Sequence, residues 1–458
     1  MDSNSIIMIA YYFPPEGNAA VYRPLRFLKG LVNKGWRATV ISCEPYKYER
    51  HDLKLLDQVP STVPIVRVRE RDPWQALQAW RNMRLGEKLA SSSADEARRV
   101  VAGQYSPWRS WFREFVRLVE ASVYRPDQVM SWIGPTARQT IAACQENRPD
   151  VLWATIGPLS SGVVAYRASM ATGVPYVLDF RDPWGLGYYP QERKRPAWAK
   201  RSDDRIIAEM FAGARSVVFL FESVAESYLR AFPGALDKTK VHVIPNGFDG
   251  EVEPFTSPPG ERCTVLYAGT LGSYRYDTLL EGLVQLKRHD PVRTARLRLL
   301  FVGEKFQALI ERAHDLGVSD LIETMPPVTN AEIRRIQQEA HALLVLGRKP
   351  ERTGHELVAG AKLFGYLQAG RPIIGIVPYD ETRRILQKVE SPLIADADRP
   401  NEVVDMLNIV LDAWSNGALE GLVPNRFACE GYSSSQQISN LIDALNGASP
   451  VKMSAVDL

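Results

Sequence analysis

Apolar positions along this chain follow two rhythms: short continuous runs, and longer stretches with an apolar residue every three or four positions. The run Ile6-Ile7-Met8-Ile9-Ala10-Tyr11-Tyr12 is too short for a helix and is closed by Pro14-Pro15, so it reads as a buried strand. The loop Pro14-Pro15-Glu16-Gly17-Asn18-Ala19-Ala20 follows. A helix then opens near Pro24, puts Leu25, Leu28, Leu31 and Val32 on one face and stops at Gly35. Ala38-Thr39-Val40-Ile41 is the next strand, which completes a βαβ start. The same succession returns at Thr264. Val265-Leu266-Tyr267 is a strand, Ala268-Gly269-Thr270-Leu271-Gly272 a small-residue turn, and Leu279, Leu280, Leu283 and Leu286 recur at helical spacing. Two such starts in one chain predict an α/β protein with two Rossmann-like, doubly wound domains facing across a cleft.

Between the two starts, further strands are expected at 151–155, 175–178, 216–220 and 241–244. After the second start they are expected at 297–303, 321–324, 342–346 and 372–376. Helices are expected at 305–316, from a Thr329 or Asn330 cap to 340, at 362–368, at 400–414, and from a Ser434 or Ser435 cap to 445. Pro254, Pro258 and Pro259 mark 250–259 as a linker. The expected division is 1–250, 251–430, and a C-terminal helix and tail at 431–458.

Residues 72–132 break the rhythm. They hold Trp74, Trp80, Trp108, Trp111 and Trp132, and from Trp74 to Arg125 there are nine Lys or Arg against five Asp or Glu. Within 108–119, Trp108, Trp111, Phe112, Phe115, Leu118 and Val119 share a helical face beside Arg109, Arg113 and Arg117. Such an aromatic, basic, amphipathic helix either lies in a membrane interface or packs on its own domain with the arginines solvated.

Composition narrows the class. A chain of 458 residues with 45% hydrophobic and 24% charged residues is globular and too long for a single core. A net charge of +3 gives no support for a nucleic-acid partner. The four cysteines are far apart, which fits a reduced, cytoplasmic setting without zinc or disulfides. No basic leader precedes the first apolar run and no uncharged run is long enough to span a bilayer, so neither a signal peptide nor a transmembrane helix is expected.

Candidate chemistry gathers at strand ends. The turn after Val265 collects backbone N–H groups and the positive end of a helix, with Arg275 beside them, an arrangement suited to phosphate. Asp179, Arg181 and Asp182 end the strand at 175–178, where ligands bind in such sheets. Arg181 and Asp182 either act there or merely close the strand end. Arg23 either touches phosphate or pairs on the surface, and Asn246 is either a turn residue of Asn246-Gly247 or part of a site. Asp396-Ala397-Asp398 has a metal-binding look, but its place before Pro400 makes Asp398 the expected helix cap.

The ordered segments PPEGNAAVYRPLRFLKGLVNKGW, DVLWATIGPLSSG, LDFRDPW, VIPNGFD, VLYAGTLGSYR, LLFVGEK and KLFGYLQAGRPIIGI resemble family 4-type glycosyltransferases of the GT-B fold, closest to the bacterial surface-polysaccharide subgroup. The resemblance spans most of 6–376 and is thinnest over 72–132. It implies a retaining, metal-independent hexosyltransferase without a cofactor. Its expected partners are a UDP- or GDP-sugar and a glycan or lipid-linked acceptor at the inner face of the membrane. It implies that Gly269, Arg275, Lys362 and Leu363 hold the donor diphosphate, and that Gly303 and Val328 lie by the nucleobase. It also implies that Gly17, Asn18, Arg23 and Asn246 line the acceptor side, with Arg181 and Asp182 facing the transferred sugar. The chain departs from the family at Gly365, where relatives commonly carry an acid that contacts ribose, and at Leu357, where the upstream acid is displaced to Glu356. A GT-B epimerase and a non-catalytic GT-B subunit are the alternatives.

Overall fold

A computed structural model of the chain describes residues 4–48, 51–70, 124–188, 190–193, 195–348 and 355–449. The chain divides into two compact units. The first comprises Met1–Leu220, Ala225–Val243 and Leu441–Leu458; the second comprises Phe221–Val224 and Ile244–Asn440.

The first unit is built on seven strands: β1 (Ser5–Ile9), β2 (Arg37–Cys43), β3 (Ile65–Val68), β4 (Val151–Ile156), β5 (Tyr176–Phe180), β6 (Ser216–Phe219) and β7 (Val241–Val243). They pair in parallel in the order β3-β2-β1-β4-β5-β6-β7. The second unit has six: β8 (Cys263–Ala268), β9 (Leu297–Val302), β10 (Ile322–Met325), β11 (Ala342–Leu346), β12 (Ile373–Val377) and β13 (Ile394–Asp396). These too are parallel, ordered β10-β9-β8-β11-β12-β13. Both sheets therefore wind outward from their first strand, turn back, and continue from their fourth. The crevice at the carboxyl ends of those two central strands is where doubly wound sheets bind ligands.

Central strands are mostly apolar and wholly buried, as expected where helices cover both faces of a parallel sheet. All residues of β1, β4, β5, β8 and β11 are buried. In the second unit, Leu279, Leu280, Leu283 and Leu286 of the helix Asp277–His289 join Val265, Tyr267, Leu299 and Phe301 in one core. In the first, Phe180, Phe211, Phe219, Tyr228 and Phe232 form an aromatic cluster in which the Phe219 and Tyr228 rings stack at 4.8 Å.

Several expectations change. The first strand ends at Ile9, before Tyr11 and Tyr12. Trp132, at the end of the 72–132 stretch, is fully buried in the helix Met130–Asn147, with its indole N–H donating to the Val68 carbonyl. The helix expected over 108–119, its membrane contact, and Trp74, Trp80, Trp108 and Trp111 lie outside the described residues. No helix of the described residues is long and apolar enough to cross a membrane.

Candidate functional site

The strand–turn–helix from Thr264 is built around glycines that no other residue could replace. Gly269 has φ +127° and Gly303 has φ +142°, both in the region that favours glycine. The Gly269 N–H donates to Val302 O at 2.8 Å, and a Cβ on Gly303 would lie 2.5 Å from the Gly269 carbonyl oxygen. The ends of β8 and β9 thus press together, and the backbone after β8 has no side chain of its own at Gly269. The Gly303 N–H reaches Met325 O at 3.0 Å, which puts Gly303 beside the loop that carries the half-buried Val328.

Lys362, the first residue of the helix Lys362–Gln368, meets this turn from the other side of the switch point. A Cβ on Gly269 would be 3.3 Å from its Nζ. The ammonium donates to the Tyr267 hydroxyl at 2.6 Å and stands 3.8 Å from the Tyr267 ring centre and 4.2 Å from that of Tyr274. Aromatic faces attract a cation but do not neutralise it. Among the described residues no carboxylate pairs with Lys362. Desolvation by burial, reinforced by the nearby Arg348 guanidinium, brings its pKa down to about 7. Arg348 lies over Tyr274, 5.8 Å from the ring centre, and also has no ion-pair partner among the described residues. Tyr366, one turn further along the helix, ties it to β8 by accepting the Ala268 N–H at 2.7 Å. Lys362, with no carboxylate partner among the described residues, and Arg348, whose charge also acts on Asp380, stand by the glycine turn at the switch point, an arrangement suited to an anion.

Of the other expected donor residues, Arg275 is partly committed elsewhere. Its guanidinium pairs with Asp398 and its N–H donates to Gly347 O at 2.8 Å. That pairing also corrects the expected cap. The helix Pro400–Ser415 begins after Arg399 with no side-chain cap, and Asp398 serves Arg275 instead. The Leu363 side chain is fully buried and its N–H bonds Gly360 O at 3.1 Å, so it offers a ligand nothing directly.

Several charged groups at the strand ends of the first unit have partners within it. Arg23 is neither a surface pair nor free for phosphate. It is buried in the helix Tyr22–Asn33 and grips Asp179 of β5 bidentately, at 2.9 Å from Nε and 2.7 Å from Nη2. Arg181, half-buried, donates to the carbonyls of Ala20 at 2.7 Å, Ile156 at 3.3 Å and Gly157, so it ties the end of β5 to the turn at Ala20 and to the segment after β4. Asn18 caps the short turn Ala19–Val21 by accepting the Ala20 N–H at 2.8 Å, with Gly17 just before it. Buried Asp127 occupies the N-terminus of the helix Ser160–Thr172, accepting from Ser160 N at 2.7 Å and Oγ at 2.6 Å. Asp182 is the exception, a half-buried strand-end carboxylate that no group among the described residues binds.

Asn246 belongs to the second unit. Its neighbour Gly247 has φ +65° and Phe248 bonds the Tyr432 carbonyl at 3.1 Å, so this loop is a turn that packs on Tyr432–Ser434. Sequence reasoning missed Tyr274 and Arg348 as site residues and the roles of Tyr267, Asp127 and Asp179. The strand-end rule that singled out Asp182 would have found Arg348, which follows β11 after a single glycine.

Doubly wound sheets that gather cations at the switch point are a common nucleotide-binding arrangement. Residues 19–247, half of the chain, match the family model of the glycosyl transferase 4-like domain, and the chain belongs to that family. A D-inositol 3-phosphate glycosyltransferase of Frankia alni is 26% identical over 216 residues, 43% of this chain and 51% of the relative. The chain thus matches about half the length of that curated relative. A glycosyltransferase from Rickettsia africae superposes with a TM-score of 0.59 at 12% identity, over 98% of this chain and 99% of that one. The lipopolysaccharide outer core galactosyltransferase WaaB, in its apo form, gives 0.57 at 14% identity, over 96% and 99%. At these identities the likeness is one of fold, the GT-B class.

Proposed function

We propose that the protein is a retaining, metal-independent glycosyltransferase of hexosyltransferase type. It moves a sugar from a UDP or GDP carrier to a glycan or lipid-linked acceptor in surface polysaccharide synthesis, in the cytoplasm at the inner face of the membrane. The carrying observation is the amine of Lys362, with no carboxylate partner among the described residues, against the glycine turn after β8, with Arg348 nearby. Family membership and the transferase activities named for the relatives support sugar transfer as the chemistry.

In this reading the acceptor oxygen bonds to the anomeric carbon as the bond from that carbon to the phosphate oxygen breaks, on the same face. Charge grows on the departing diphosphate, and fixed cations gain strength as it grows, by about 3 kcal/mol for one well-placed group. Lys362 and Arg348 fill that role, with Gly269 admitting the phosphates to the backbone. Arg275 adds a weaker field because Asp398 shares its charge. Gly303 and Val328 border the base. Asp182 orients the acceptor hydroxyl, whose proton leaves with the diphosphate, and Arg181 acts as a positioning residue that fixes the Asp182 loop. Gly17 and Asn18 shape the acceptor side, and 108–119 provides the membrane contact.

One observation favours a second reading, a non-catalytic nucleotide-binding subunit. A Cβ at Gly365 would meet nothing within 4 Å, so the side chain common in the family is missing from open space. Incubation with UDP-, GDP- and ADP-sugars separates the two. Slow release of nucleoside diphosphate without acceptor, lost in Lys362→Ala, is expected of the transferase; binding without any release would leave the subunit.

A further inference from the structure

The Lys362 amine stands against the glycine turn after β8, with Arg348 nearby. Burial and the Arg348 charge oppose its protonation, while two aromatic rings and a hydroxyl attract the ammonium without supplying a counter-charge. The groups that face it are the rings of Tyr267 and Tyr274, the Tyr267 hydroxyl at 2.6 Å, and Arg348, whose like charge opposes protonation. Burial raises the Tyr267 phenol, and a neutral phenol supplies no counter-charge. On its own helix Tyr366 is bonded away to Ala268 N at 2.7 Å. No described carboxylate compensates the amine, yet its Nζ lies against Gly269, where an incoming anion would sit.

We propose that this unit binds its diphosphate together with a proton, taken up at the Nζ of Lys362. The inference rests on the donor-binding reading above and adds a proton to it. The empty amine is partly neutral near neutral pH, which spares the fold an uncompensated charge. An arriving diphosphate supplies the missing counter-charge, and the amine draws a proton from solvent as the ion pair forms. After transfer, release of the nucleoside diphosphate returns that proton.

Proton linkage has a measurable sign. An amine with a pKa of about 7 in the empty protein is roughly one-tenth protonated at pH 8 and almost fully protonated once paired, so about 0.9 proton enters per ligand. The dissociation constant should rise about fifty-fold between pH 7 and pH 9. Isothermal titration of UDP-glucose, GDP-mannose and ADP-glucose at pH 8, in buffers of different ionisation enthalpy, reads the uptake directly. Nucleotide sugars are used because their phosphates do not titrate in this range.

Lys362→Arg keeps the charge but not the titration, so it should bind with uptake near zero and a flat pH profile. Should that variant bind too weakly to read, Arg348→Gln provides the second measurement. Loss of the like charge should move the onset of the affinity loss to higher pH; an unmoved onset overturns the inference. Binding by the native protein without uptake, or uptake that persists in Lys362→Arg, overturns the inference and leaves the transferase reading standing. If none of the three sugars binds, both fall.

Discussion

The two sheets have the same winding order and opposite electrostatic endings. In the first unit the arginine that follows the first strand, Arg23, is buried against Asp179, with 4% and 0% of the two side chains exposed. In the second, Arg275 pairs with Asp398 at 24% and 68%, in water. The helix after the fourth strand begins on a carboxylate from Asp127 in one unit and on the ammonium of Lys362 in the other. The contrast teaches that a doubly wound sheet supplies the crevice, while a few charged side chains decide whether it is open to an anion.

That contrast can be broken in four ways. Asp179→Ala should have the largest effect, about 3–5 kcal/mol lost in denaturant unfolding, because it strands Arg23 in the core. Replacing both partners by apolar residues should restore most of the loss. A cost below about 1 kcal/mol would mean the first unit's charges are not committed to each other. Next, Lys362→Ala should lower kcat/KM with nucleotide sugar about 10²-fold, with the melting temperature maintained. An equal loss in a variant of Arg23 that still folds would erase the distinction between the units.

The third concerns stability and pH. Unfolded, Lys362 holds its proton up to about its ordinary 10.5; folded, only up to about 7. Between those values the unfolded chain binds more protons, so this residue's penalty is full below pH 7 and fades as pH rises toward 10.5. Lys362→Met should therefore stabilise the ligand-free protein by about 2 kcal/mol at pH 6 and by progressively less above pH 7. A pH-independent gain would assign the effect to packing alone. Smallest of all, Arg275→Ala should weaken nucleotide-sugar binding less than about fivefold, since its charge is shared and solvated. A loss greater than that of Lys362→Ala would make Arg275 the principal anchor.

Much of the fold was legible because central strands are continuous apolar runs and their helices carry clear apolar stripes. The edge strands β3 and β13 were not. Ile65–Val68 is mostly half-buried and carries Arg67, while Ile394–Asp396 is only three residues long. At the site, Gly269, Gly303 and Lys362 announce themselves by type and position. Their partners do not. Lys362 meets Tyr267 across 95 positions and Arg23 meets Asp179 across 156, so which charges cancel depends on strand order, not on local pattern. Arg23 and Arg275 look alike along the chain, and only the sheet separates their fates.

Asp127 has a consequence for where a nucleotide can bind. By resting on the first turn of the helix Ser160–Thr172, this side chain is a resident guest in the slot that a phosphate would otherwise claim. Burial holds its pKa above the ordinary carboxylate range, against the serine bonds that favour the charged form. A protein assembled from two similar halves could have carried two competing nucleotide pockets. With that helix start held by the chain's own carboxylate, no nucleotide phosphate is expected to bind there.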